Sequence, residues 1–160
     1  MRFKVVPPAP DDLEALEAAR RAVPLVPRSE NDCCARVMDR AGVPARDEAK
    51  EWLTFMRALG LVTEGDRGYH RTRDPLDRDA LAAAFRERVY GAAALLDALD
   101  PEEPRSAEAA FERFADAVPT WERRRHADWR RVWRERVGRL LDWAVLFDLA
   151  AREDGGYVRG

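Results

Sequence analysis

Leu13, Leu16, Ala19 and Val23 recur at helical spacing, and Pro24 closes the stretch. Asp11 and Glu14 flank its start as a variant of the capping box. Ser29, with Asp32 three residues on, opens a second helix through Cys33, Val37 and Met38 to Ala41, and Gly42 stops it. Pro44 suits the first turn of a third helix, whose apolar positions are Ala49, Trp52, Leu53, Met56 and Leu59; Gly60 ends it. LVTEGDRGYHRT (Leu61–Thr72) then reads as strand, tight glycine turn, strand. Phe3–Val6 (FKVV) supplies a further short strand.

Downstream, Leu81, Phe85, Val89, Ala92, Leu96 and Leu99 form one stripe behind the cap residue Asp77, which predicts a single helix over 76–99. Asp100–Arg105 is a loop. Ser106 caps a helix that runs to Val118 and stops at Pro119. TWERRRHA is a brief, irregular helix. A long helix follows from Asp128 to Leu149, with Trp129, Val132, Trp133, Val137, Leu140, Leu141, Ala144 and Phe147 on its apolar face. The chain ends in a second, shorter hairpin, LAAREDGGYVRG.

The chain also repeats. GDRGYHR around Tyr69 and EDGGYVR around Tyr157 lie 88 residues apart. The same offset aligns Leu53 with Leu141, Phe55 with Trp143, Leu59 with Phe147, Leu61 with Leu149, Gly68 with Gly156 and Arg71 with Arg159. A second match sets Ala15–Pro24 (ALEAARRAVP) against Ala110–Pro119 (AFERFADAVP) at an offset of 95, which makes the second copy seven residues shorter in its middle.

Three helices and a hairpin, twice over, resemble the winged-helix superfamily in a tandem form, and the chain is similar to uncharacterised small archaeal proteins. The resemblance implies a mainly α (α+β) fold of two tandem winged-helix-like units joined by a helix. Residues 1–75 form the first unit, 76–105 the linking helix and loop, and 106–160 the second, shorter unit. The superfamily, built on a helix-turn-helix, includes DNA-binding transcription regulators and protein-interaction modules, so the fold leaves both functions open.

Composition narrows the chemistry. Of 160 residues 46% are apolar, enough for a packed core, and the net charge is only −2. No uncharged run approaches the ~20 residues that cross a bilayer, and Met1–Pro10 lacks the apolar run of a secretory signal. A cytoplasmic protein without a membrane partner is expected. The two histidines, His70 and His126, and the adjacent Cys33 and Cys34 offer no metal-ligand spacing. The only serines, Ser29 and Ser106, stand at helix starts, and there is no glycine-rich phosphate loop. The expectation is a non-catalytic protein without a cofactor. Twenty-six arginines stand against two lysines, a bias that a GC-rich genome explains. A salt-loving source would also suppress lysine, but with a larger acid excess than this.

Arginine is concentrated between Trp121 and Arg139, where eight of them face Glu122, Asp128 and Glu135. Guanidinium groups grip phosphate in bidentate fashion, so a helix with an apolar back and this cationic front could track double-stranded DNA. Candidate contacts are Arg123, Arg124, Arg125, Arg130, Arg131 and Arg134, with Arg67 and Arg71 on the first hairpin. The competing reading pairs these arginines within the chain, since residues 75–118 hold ten acids and five bases, or with an acidic protein partner or a second copy. The first 74 residues are neutral, and their third helix mixes Arg46, Lys50 and Arg57 with Asp47, Glu48 and Glu51. Trp52, Trp129, Trp133 and Trp143 fall at core spacing, whereas Trp121 has no assigned side. Tyr69 and Tyr157 are expected to pack each hairpin on its third helix. One cysteine is expected in the core and one near the surface, which leaves a redox sensor open.

Overall fold

The computed structural model describes residues 3–160, which form two compact units that divide between Val89 and Tyr90.

In the first unit, α1 (Leu13–Ala22) is capped by Asp12, not Asp11: its Oδ1 accepts from Ala15 N–H at 2.9 Å. Ser29 Oγ accepts from Asp32 N–H at 3.1 Å and starts α2 (Glu30–Ala41), which Gly42 ends in the left-handed conformation at φ 70°. Helix α3 (Arg46–Ala58) begins two residues beyond Pro44, with no side-chain cap at Ala45. Strands β1 (Val62–Gly65) and β2 (Gly68–Arg71) pair antiparallel, and α4 (Arg78–Arg88) closes the unit. Leu16, Ala19, Val23, Val37, Leu53, Phe55 and Met56 are buried together with Phe85 of α4. Phe55 and Phe85 meet edge to face at 6.3 Å. Burial of each large apolar side chain contributes about 1.5–3 kcal/mol, so α4 belongs to this core. The extra strand over Phe3–Val6 does not form; Phe3 makes one isolated bridge to Val89.

The 76–99 stripe is buried as its periodicity predicts, but not as one helix. The chain breaks at Val89, which is extended, and at Gly91, which takes φ 87°. A Cβ on Gly91 would lie 3.0 Å from the Phe114 ring. The apolar spacing continues across the break because each half buries its stripe in the core of its own unit.

The second unit starts with α5 (Ala92–Asp97). Ser106 caps α6 (Ala107–Phe114), and a short 3-10 turn (Ala115–Ala117) follows. Helix α7 (Thr120–Arg125) precedes α8 (Trp129–Leu146), and β3 (Ala150–Glu153) pairs with β4 (Gly156–Arg159). Trp133 is wholly buried between Tyr90 and Phe114, with ring centroids at 5.8 and 5.7 Å. Trp143 is buried against Phe147 at 5.5 Å. Trp129 is only half-buried.

The offset of 88 holds residue by residue through the hairpins: Glu64 faces Tyr69 as Arg152 faces Tyr157. The upstream match at 95 does not hold. Arg28, just before α2, bridges to Tyr69, and Arg105, just before α6, bridges to Tyr157. Helix α6 is therefore the counterpart of α2, at an offset of 77, and α5 is the counterpart of α1. The second copy is eleven residues longer between bridge and hairpin, not seven shorter, and the extra length holds α7. The resemblance between the ends of α1 and α6 is that of two amphipathic helices that each run into Val-Pro.

Candidate nucleic-acid interface

Each unit presents the parts of a winged helix: a third helix, α3 or α8, and the hairpin that follows it. The hairpin leans on its third helix through charge. In the first unit Arg57 of α3 pairs with Glu64 of β1 at 2.9 Å, and Tyr69 bonds to the same Glu64 carboxylate. In the second the polarity is reversed: Arg152 of β3 pairs with Asp142 of α8 at 2.6 Å, and Tyr157 Oη donates to Asp142 at 3.3 Å. Both tyrosines thus tie their hairpins at the equivalent register position, Tyr157 directly to the third helix and Tyr69 through Glu64.

Arg130, Arg131, Arg134 and Arg139 of α8 are engaged by acids of their own unit. Arg130 pairs with Glu112 at 2.5 Å and Arg134 with Glu108 at 2.7 Å, both on α6. Both guanidiniums also lie over the Phe111 ring, at 5.4 and 5.1 Å. Arg131 pairs with Asp128, and Arg139 with Glu135 at 3.3 Å. These pairs are half-exposed, a setting in which an ion pair contributes about 0–1 kcal/mol and can exchange its partner. Arg123 differs: it is half-buried, donates to the Ala115 carbonyl and covers Trp129 at 4.6 Å.

Arg124 and Arg125 are exposed and form no ion pair among the described residues. They stand three and four residues beyond Trp121, which is 51% exposed, so all three share one face of α7. The buried side of α7 carries Glu122, 5% exposed, with Nε2 of the following His126 at 3.8 Å. Sequence periodicity assigns Trp121 no side because α7 is too short to show a period; its exposure is a finding of the structure.

On the first hairpin Arg67 is exposed at the tip, whereas Arg71 donates to the Arg21 carbonyl at 2.8 Å. The exposed bases of α3 are also held: Lys50 by Glu30 at 3.5 Å, and Arg46 by Asn31. Cys33 and Cys34 are both fully buried, which corrects the expectation of one near the surface. Burial pushes the Cys33 thiol up to about 11 and raises that of Cys34. Neither is a reactive thiolate near neutral pH. Among the described residues no group of three or more His, Cys, Asp or Glu is placed to hold a metal, and no helix is long and apolar enough to cross a membrane.

Two units, each with a bridging residue ahead of its second helix and a hairpin directly after the helix it leans on, define a tandem winged-helix protein. The whole chain, residues 1–160, matches the model of the halobacterial double winged helix domain, and it belongs to that family. No curated protein and no solved structure matches it.

Proposed function

We propose that this protein is a non-catalytic nucleic-acid-binding protein of the transcription-regulator kind, which grips the phosphate backbone of double-stranded DNA. The observation that carries the reading is the solvent face of α7, where Trp121 stands beside the unpaired Arg124 and Arg125. An exposed aromatic ring next to free guanidiniums suits a phosphate backbone and the sugars or bases beside it. Arg67 at the first hairpin tip adds a backbone contact. Arg130, Arg131 and Arg134 contribute by exchanging their carboxylates for phosphate, Arg71 is a peripheral contact, and Arg123 holds α7 on the second unit.

A second reading, a protein-interaction module that meets an acidic partner or its own copy, is favoured by the acids on both third helices. Asp47 and Glu51 lie on α3, and Glu135 and Asp142 on α8; an acid on a groove-facing surface repels phosphate.

Salt-titrated anisotropy with mixed-sequence duplex DNA tests the first reading. Changing Arg124 and Arg125 to Gln should lower the steepness of the affinity–salt plot by about 0.9 for each lost phosphate contact. Affinity should fall alike for all sequences, since phosphate contacts position and do not specify. Wild-type binding weaker than ~0.1 mM near physiological salt, the weak end of non-specific binding, would reject the reading in favour of the module. In that case sedimentation of wild type and the same variant would report self-association.

A further inference from the structure

We infer that the seam between the end of α1 and the end of β2, in the first unit, binds a small oxyanion that also carries a hydrogen-bond donor. Hydrogen phosphate is the simplest example. The inference does not rest on the proposed DNA contact, which shares with it only the peripheral Arg71. The seam is an open pocket of about 230 Å³ lined by Glu17, Arg20, Arg21, Leu25, Arg71 and Arg73, among others. Four arginines there stand against one carboxylate.

The floor of the pocket is out of balance. Arg20 lies on the buried side of α1, its side chain only 7% exposed, and a guanidinium keeps its charge when buried. Its Nη2 pairs with Glu17 Oε1 at 2.7 Å, and that same oxygen serves Arg21 at 3.4 Å. Nη1 donates to the Asp74 carbonyl at 2.5 Å, which supplies no charge. Arg20 Nε has no partner, and neither has Glu17 Oε2, although both atoms are buried. Arg71 is held by the Arg21 carbonyl, again without a carboxylate. A buried polar atom left without a hydrogen bond is costly. The seam therefore combines an excess of cationic donors with one unmet carboxylate oxygen.

A bare anion answers only half of this, because its oxygen would face Glu17 Oε2. An oxyanion with a proton of its own answers both: its charged oxygens meet the arginines and its O–H meets Glu17. Leu25, 41% exposed at the rim, offers an apolar surface to the carbon part of an organic phosphate or hydroxy acid.

The experiment follows the Arg20 Nε–Hε resonance of the full chain by NMR at pH 7, with inorganic phosphate and sulfate as probes. Phosphate should move it saturably, and sulfate, which has no proton to donate, should bind about tenfold more weakly, the equivalent of one hydrogen bond. Changing the exposed Arg21 and Arg73 together to Gln should weaken phosphate about tenfold or more and leave the fold intact. Glu17→Gln replaces the unmet oxygen by a donor and should abolish or reverse the preference for phosphate over sulfate. No saturable shift, or equal shifts from both anions in every variant, would overturn the proposal. A resonance that moves with duplex DNA but not with phosphate would overturn it too, and would make the seam part of a nucleic-acid contact. The Arg124/Arg125 variant should leave phosphate binding unchanged, which separates this site from the proposed DNA face.

Discussion

Arg105 and Tyr157 exchange two backbone hydrogen bonds, N–H to O at 3.0 Å in one direction and 2.8 Å in the other, and Arg28 and Tyr69 repeat the pair at 3.0 and 2.8 Å. Each bridge stitches the entry of a second helix to the inner strand of a hairpin. It brings the backbone so close that the residue before each tyrosine must be glycine. A Cβ on Gly68 would lie 2.1 Å from the Arg28 carbonyl oxygen, at φ 118°, and one on Gly156 2.8 Å from that of Arg105.

Gly68→Ala should therefore cost about 3 kcal/mol or more, through strain and collision together. Gly42 is the control. It also has positive φ, at 70°, but a Cβ there meets nothing within 4 Å. Gly42→Ala should cost about 1 kcal/mol. Urea melts of the two variants check the ordering, and equal costs would mean that the bridge is not a close approach.

Trp143 and Phe55 occupy equivalent positions and are both fully buried. Replacement of either by Ala should cost about 3–5 kcal/mol, the transfer term plus the cavity left behind. Trp121→Ala, at an exposed ring, should stay within about 0.5 kcal/mol. Denaturant melts in which the Trp143 or Phe55 change costs less than about 1 kcal/mol would place that ring outside the core.

Glu108 and Glu112 hold Arg134 and Arg130 on the surface of the second unit. Changing both acids to Gln should lower stability by no more than about 1 kcal/mol for each pair. If the freed guanidiniums reach phosphate, the slope of the affinity–salt plot should steepen by about 0.9 for each. An unchanged slope would confine backbone contact to α7 and the first hairpin.

Burial, with the Glu64 carboxylate next in weight, pushes the Tyr69 hydroxyl up to about 12, and burial pushes the Cys33 thiol beneath the same bridge up to about 11. Cys33 Sγ points its proton at the Arg28 and Tyr69 carbonyls, 3.7 and 3.9 Å away. Both groups hold their protons longer folded than unfolded, so above the unfolded values the native state binds more protons and stability falls as pH rises. The loss should run from about 9 to about 11 for the cysteine and from about 10 to about 12 for the tyrosine. Melts across alkaline pH should show this decline, and Cys33 should react with a thiol reagent only as the first unit opens. Full thiol reactivity in the folded protein at pH 8 would contradict it.

The sequence by itself determined the helices, both hairpins and the duplication. Apolar spacing is a local property, and Ser29, Gly42 and Ser106 act within a turn of where they stand. It even marked the buried stripe from Leu81 to Leu99. Only the tertiary structure decided that this stripe is two helices in two cores: the chain turns at Gly91 with φ 87°, where a Cβ would lie 3.0 Å from the Phe114 ring, a close approach between residues far apart in sequence. It also decided which helix matches which, since Arg28 and Arg105 are paired with their tyrosines by backbone hydrogen bonds that no side-chain pattern records. The candidate site divides the same way. Counting charges found the arginine stretch and its acidic counterpart. The pairing of Arg130 and Arg134 with α6, the freedom of Arg124 and Arg125, and the burial of Arg20 depend on which faces meet in three dimensions, and a one-dimensional charge balance does not contain that geometry.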